Sequence, residues 1–155
     1  MSDFGMLIDG RRVDAAATFR AHYVGYRCDL AQHAAEVDTI ATSLCRGVPL
    51  ALSIAAATLD NAPYLGDIGA LAAGLRAQWD ASAADRADPI ALCVKVSWQH
   101  LDAALRLALA KACVGFLTRF SAYACAEVFD QATLDGVRQL VASHALVMFA
   151  GGRCV

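Results

Sequence analysis

The 155-residue chain lacks several things that would otherwise place it quickly. No stretch approaches the roughly 18 uninterrupted apolar residues that a membrane helix needs. The nearest, Leu44 to Leu59, contains Arg46, Gly47, Pro49 and Ser53 and reads as a buried helix with its approach. The amino-terminal MSDFGMLIDGRR carries Asp3 and Asp9 and no continuous apolar core, which is not the pattern of a cleavable signal peptide. Basic residues are scattered and the formal charge is −2, so no nucleic-acid footprint or membrane-attracting basic stripe is present. No two of the six cysteines have a CxxC spacing, which removes zinc-ribbon and thioredoxin-like readings. Gly66, Gly69 and Gly74 lie in a helical pattern without a lysine, so there is no phosphate-cradling loop. Linkers, repeats and low-complexity blocks are missing too, which points to one domain over residues 1–155.

What is present is helical. Hydrophobic residues make up 58% of the chain and mean hydropathy is +0.45, much of it from alanine. Phe4, Met6 and Ile8 alternate ahead of Asp9-Gly10, suggesting a short hairpin or extended arm. Leu30, Ala34, Val37, Ile40 and Ala41 recur at three-to-four spacing within an interrupted helical stretch over 14–44. Thr42 and Ser43 then offer capping oxygens just before Cys45. Pro49 to Leu59 is almost wholly apolar, as a helix inside a core should be, and Asn61, Pro63 and Gly66 end it. A helix fits 66–81 on Ile68, Leu71, Leu75 and Trp79, and Ser82 to Pro89 reads as a polar loop. A long helix over about 97–128 is capped by Ser97 and carries a stripe from Trp98 through Phe116, with Asp102 and Arg106 paired on its wet side. A short helix follows over 131–142. His144 then opens an apolar run of strand length, interrupted by Gly151-Gly152 before Arg153-Cys154-Val155, which has the signature of a hairpin. The second strand stops after about three residues, an ending expected of a chain that continues beyond Val155.

Thiolate catalysis needs a cysteine at a helix start, a histidine on another element, and a group to orient that histidine. Cys45 comes nearest to the first condition: Thr42-Ser43 precede it, Gly47 lets backbone approach a substrate, and the most apolar helix follows. The backbone N–H groups of Cys45 and Arg46 could serve a developing oxyanion. The plain alternative is that Cys45 is a small core residue. Of the histidines, His22 and His33 carry no structural signature, His100 reads as a surface or boundary residue, and His144 stands on the strand-like run, where it could equally be a capping or buried histidine. His22, Cys28 and His33 have a spacing that could grip a metal, but no fourth ligand is placed. Asp80, Asp85 and Asp88 read as solubilising charges, and Tyr23 and Tyr26 beside Cys28 have no catalytic logic.

The segment Ser43–Leu44–Cys45–Arg46–Gly47–Val48 resembles the nucleophile motif of the YopT/AvrPphB-type cysteine proteases, roughly Gly-x-Cys-Arg-Gly-Leu-Ser before a helix. Ser143–His144–Ala145–Leu146–Val147 resembles the histidine strand of that family. The resemblance implies an α+β, helix-rich papain-like fold with a small C-terminal antiparallel sheet; all-α is the alternative. It implies Cys45 as nucleophile, His144 as general base, and an aspartate that falls past Val155, so that the chain in hand would be nearly inert. No cofactor or metal enters that chemistry. Family members are bacterial effectors made in the cytoplasm without a cleavable signal peptide and injected into a host, where they cut signalling proteins; the partner implied is a protein or peptide substrate. The chain departs from the pattern at Ser43, where glycine is usual, at Pro49, where serine is common, and at Thr39 and Ile40, where papain-like enzymes place an Asn or Gln oxyanion donor. The rival reading is a non-catalytic helical interaction module, or a degenerate protease fold now used for binding. A protease must bring Cys45 and His144 together in a cleft, whereas a module should expose a contiguous apolar patch.

Overall fold

An almost uninterrupted apolar run leaves a helix no wet side, and Pro49–Leu59 behaves accordingly. In the computed structural model, which describes residues 7–8, 11–12, 14–115, 120–121, 129–141, 149–150 and 153–154, this segment is a helix with Pro49 in its first turn, where the missing N–H costs nothing. Ala51, Leu52, Ile54, Ala55, Ala56, Thr58 and Leu59 are all buried on it. The other helices are α1 (Ala15–His22), α2 (Ala34–Asp38), α4 (Ile68–Ala81), α5 (Ala83–Ala87), α6 (Pro89–His100), α7 (Ala103–Gly115) and α8 (Gln131–Gln139), with Pro49–Leu59 as α3. The chain gathers into two compact units, Met1–Gln99 and His100–Val155.

In the first unit α1 lies on α3 and buries Phe19 completely. α2 runs directly into a wide helical turn, Thr39–Leu44, that buries Ile40, Ala41 and Leu44. Of the apolar face expected from Leu30 to Ala41, all but Ala34 is buried. α4 contributes Ile68, Leu71 and Leu75, and α6 contributes Leu92, Cys93 and Val96. Where these helices start is set by aspartate. Asp14 accepts from the N–H groups of Ala16 and Ala17, Asp67 from Ala70, and Asp88 from Ile90 and Ala91. Each side chain satisfies donors that a helix start leaves unpaired. Asp88 is therefore a cap and not merely a solubilising charge.

The second unit is built the same way. Asp102 accepts from Leu105 N at 2.8 Å and starts α7; Asp130 accepts from Thr133 N at 2.8 Å and starts α8. Lys111 reaches from α7 to both Asp130 (3.2 Å) and Thr133 (3.0 Å). Hydrogen bonds from Thr133, and then from Lys111, hold the Asp130 carboxyl down at about 2. Leu101, Leu105, Ala108, Leu109 and Ala112 pack with Val137 and Leu140, and Phe129, Leu134 and Val141 close the cluster.

Several expectations are corrected. The α+β, papain-like architecture with a small C-terminal sheet is replaced by an all-α fold over the described residues. Among the described residues extended pairing is confined to two-residue stubs: Leu7–Ile8 with Arg11–Arg12, and Arg153–Cys154 with Phe149–Ala150 and Phe120–Ser121. Two residues point to opposite faces, so such a stub presents no apolar face on which helices could pack. The long helix expected over 97–128 is divided, among the described residues, between the end of α6 and α7, with Phe120–Ser121 extended. Asp102 caps α7, and Ser97 is a buried residue inside α6. The loop expected over 82–89 contains α5.

The contact between α7 and α8 is close enough to exclude a methyl group. A Cβ on Gly136 would stand 2.6 Å from the Cβ of Ala108. Gly136→Ala gains about 1 kcal/mol in helix propensity, but overpacking at a helix contact costs about 1–3 kcal/mol. The expected net effect is a destabilisation of roughly 1 kcal/mol, read from the midpoint of urea unfolding. A Gly136→Ala variant as stable as wild type would mean that the two helices can part.

Candidate functional site

Cys45 does not stand at the start of a helix. It closes the wide turn Thr39–Leu44: its N–H donates to Ile40 O at 2.8 Å, five residues back, and Gly47 N donates to Ala41 O at 2.9 Å. The hydroxyl of Thr42 is turned inward along the helix to Asp38 O (2.7 Å), so it caps nothing ahead of Cys45. Arg46 and Gly47 both take positive φ, +49° and +71°, and this left-handed pair turns the chain toward α3. The Arg46 side chain is exposed and donates from Nη2 to Ala87 O at 2.5 Å.

The Cys45 side chain is 0% exposed, and its Sγ lies 3.7 Å from the Sγ of Cys93, itself 1% exposed, on α6. The hydrogen bond with Cys45, and next the burial, push the Cys93 thiol well up. One turn further along α6, Ser97 meets Thr58 of α3; Thr58 Oγ1 donates to Ile54 O at 2.7 Å, which leaves Ser97 as the donor to Thr58. α6 thus meets the turn before α3 through a thiol pair and α3 itself through a hydroxyl pair. Among the described residues no buried side-chain nitrogen or oxygen lacks a partner.

Of the remaining expected residues, His144 lies outside the described residues. His22 ends α1 on the surface, His33 precedes α2 with Nδ1 3.9 Å from Glu36, and His100 ends α6, its pKa lowered by partial burial and then by Arg106. His22, Cys28 and His33 do not converge: among the described residues no group of three His, Cys, Asp or Glu could hold a metal ion. No helix among them is long and apolar enough to cross a membrane.

The feature that sequence reasoning passed over is the loop 23–29. Tyr23 donates its hydroxyl to Asp60 Oδ1 at 2.7 Å and accepts from Cys28 N at 3.0 Å. Two glycines let the loop sit directly on the turn 60–67. A Cβ on Gly25 would stand 1.8 Å from Asp60 Oδ2, and one on Gly66, at φ +93°, would stand 2.6 Å from the Cβ of Arg27. The turn is shaped by the Nδ2 of Asn61 on Ala57 O (2.7 Å), and it contains a cis bond before Pro63. On this fixed base the loop holds Val24 95% exposed and Tyr26 90% exposed, with the Arg27 guanidinium 6.0 Å from the Tyr26 ring centroid. Leu65, on the turn beneath, is 53% exposed. The Cys28 thiol is raised by burial and then by Asp29, Asp60 and Asp67, so the loop carries no activated nucleophile. The sequence signal was available: Tyr-x-Gly-Tyr in one segment and Asp-Asn-x-Pro-x-x-Gly in another, both turn chemistry with no periodic face.

No protein-family model matches the chain, and neither a curated protein nor a solved structure matches it.

Burial, and then the hydrogen bond to Asp60, raise the Tyr23 hydroxyl from 10.0 to about 12. Its proton is held more tightly in the folded chain than in the unfolded one. The resulting stabilisation is complete below pH 10 and fades as pH climbs from about 10 to about 12. Removing the hydroxyl also leaves Cys28 N without its acceptor. Tyr23→Phe should therefore be less stable than wild type at pH 8 by about 1–3 kcal/mol, and the gap should narrow above pH 10. Urea unfolding at a series of pH values measures both, and a gap independent of pH would dissociate Tyr23 from Asp60.

Proposed function

We propose that this protein is a non-catalytic protein-interaction module, and that it binds its partner with the loop 23–29 and the adjoining turn. The observation that carries this reading is the exposure of Val24 and Tyr26 on backbone that is already fixed. An aliphatic and an aromatic side chain held in water cost free energy unless something covers them. Tyrosine with a neighbouring arginine is the composition of an interface hot spot. Because the Tyr23 hydrogen bonds and the two glycine contacts order the loop beforehand, little conformational entropy remains to be lost on binding. The partner is a protein with an apolar depression rimmed by polar groups. Scattered charge and the carboxylates of Asp29, Asp60 and Asp67 near the loop disfavour nucleic acid.

The position of Cys45 supports the same reading. A nucleophile has to meet a peptide carbonyl, and a sulfur with 0% exposure, in contact with a second thiol, has no route to one without local opening.

Two measurements test this. The first is alkylation of each cysteine by iodoacetamide against pH, read by mass spectrometry. Cys45 and Cys93 should react at least about ten-fold more slowly than exposed Cys113. Preferential reaction of Cys45 near pH 6, lost in His144→Ala, would replace the module by a thiol protease. The second is photo-crosslinking from position 26 in cells, compared with position 107, where Leu107 is also exposed but lies on α7. A discrete adduct at position 26, abolished by Val24→Ser and unaffected by Leu107→Ser, is the expected result. Equal labelling from both positions would remove the loop as the contact.

A further inference from the structure

Two thiols that touch in a sealed core are chemically unlike any other pair in the described chain. Cys45 ends the wide turn before α3, Cys93 lies mid-way along α6, and their sulfurs are 3.7 Å apart although the residues are far apart in sequence. Among the described residues no group of three His, Cys, Asp or Glu could hold a metal ion at either sulfur, and the interaction surface proposed above does not use them. Small hydrophobic side chains would fill the same space without an oxidisable atom.

We propose that Cys45 and Cys93 are a redox modification site, at which a peroxide converts the two thiols into a reversible disulfide. In the first step the sulfur of one cysteine, its proton lost to solvent during a local opening, attacks a peroxide oxygen. The O–O bond breaks, the sulfur becomes a sulfenic acid, and the departing hydroxide takes up a proton as water. The second sulfur then attacks the sulfenic sulfur; the S–O bond breaks, a second water leaves with the second thiol proton, and the S–S bond forms. Two thiols and one hydrogen peroxide give one disulfide and two waters, the sulfur pair losing the two electrons that the peroxide gains.

Geometry acts on the second step. Once one sulfur is oxidised, its partner is already at contact distance and needs to move from 3.7 Å to roughly 2.05 Å. That makes closure effectively unimolecular and faster than any encounter with another chain. Burial acts on the first step, making it slow and favouring an oxidant as small as hydrogen peroxide. The closed bond ties the turn carrying Cys45 to α6 and encloses α3, α4 and α5 in one covalent loop, restricting the unfolded chain. The oxidised protein is thereby locked between the turn at Cys45 and α6, and neither thiol belongs to the loop 23–29.

The experiment uses the full reduced chain treated with hydrogen peroxide at neutral pH. Catalase quenches it, iodoacetamide blocks free thiols under denaturant, and the product is digested without reduction for mass spectrometry. The same oxidation in guanidinium chloride gives the distribution without native geometry. In the native sample the peptide linking Cys45 to Cys93 should exceed any other cross-link by about ten-fold, and dithiothreitol should reverse it. In guanidinium chloride that preference should disappear. The proposal is overturned if the native and denatured samples give the same mixture, or if Cys45 and Cys93 are recovered as free thiols or sulfinic acids. Neither outcome depends on whether the loop 23–29 binds a partner.

Discussion

A helix that is apolar all round can exist in water only if other elements enclose it, and α3 imposes that requirement on the first unit. With Leu52, Ile54, Ala55, Ala56 and Leu59 buried, it has no solvated side. α1 covers it through Phe19, and α6 meets it through the Ser97–Thr58 hydroxyl pair. The wide turn before it packs against α1 and α4. The small side chains of the run let these neighbours approach closely. Two polar constraints follow from that closeness: the Thr58 and Ser97 hydroxyls satisfy each other, and the Cys45 and Cys93 thiols meet. In an interior where a lone polar group costs on the order of 1–3 kcal/mol, such pairs fix the rotation of one helix against another.

The same constraint explains why Cys45 is where it is. The chain has to leave the wide turn and enter α3 within a few residues, and Arg46 and Gly47 achieve this in the left-handed region. That reversal sends the Arg46 side chain to the surface and the Cys45 side chain into the core. A motif of the form Cys-Arg-Gly before an apolar helix is compatible with a nucleophile and equally compatible with a tight turn around a buried thiol. The difference lies in the exposure of one sulfur atom.

Function, on this reading, sits away from the core. The loop 23–29 is irregular backbone on a rigid base, the usual place for recognition residues because the scaffold supplies order and the loop supplies shape. Its internal hydrogen bonds run through Tyr23, whose hydroxyl both donates and accepts, so one side chain holds the entry and exit of the loop to Asp60. Val24 and Tyr26 are then left in solvent, with the Arg27 guanidinium 6.0 Å from the Tyr26 ring centroid.

Local pattern by itself determined the helix Pro49–Leu59 to its ends, the helix through Ile68, Leu71 and Leu75, and the turn at Asn61, Pro63 and Gly66, because apolar spacing and the backbone restrictions of proline and glycine act over a few residues. The starts of α5, α6 and α7 were not legible: a serine at 97 and an aspartate at 88 or 102 can each cap, and only the hydrogen bonds distinguish them. That no sheet layer forms among the described residues was not legible, since the run after His144 has strand length whether or not strands pair. Nor could the sequence place Tyr23 on Asp60, Gly25 against the same carboxylate, or the sulfur of Cys45 against that of Cys93. These contacts join segments about 35–50 residues apart, and nothing in the local chemistry of either partner specifies the other. Only the packing around α3 brings them together.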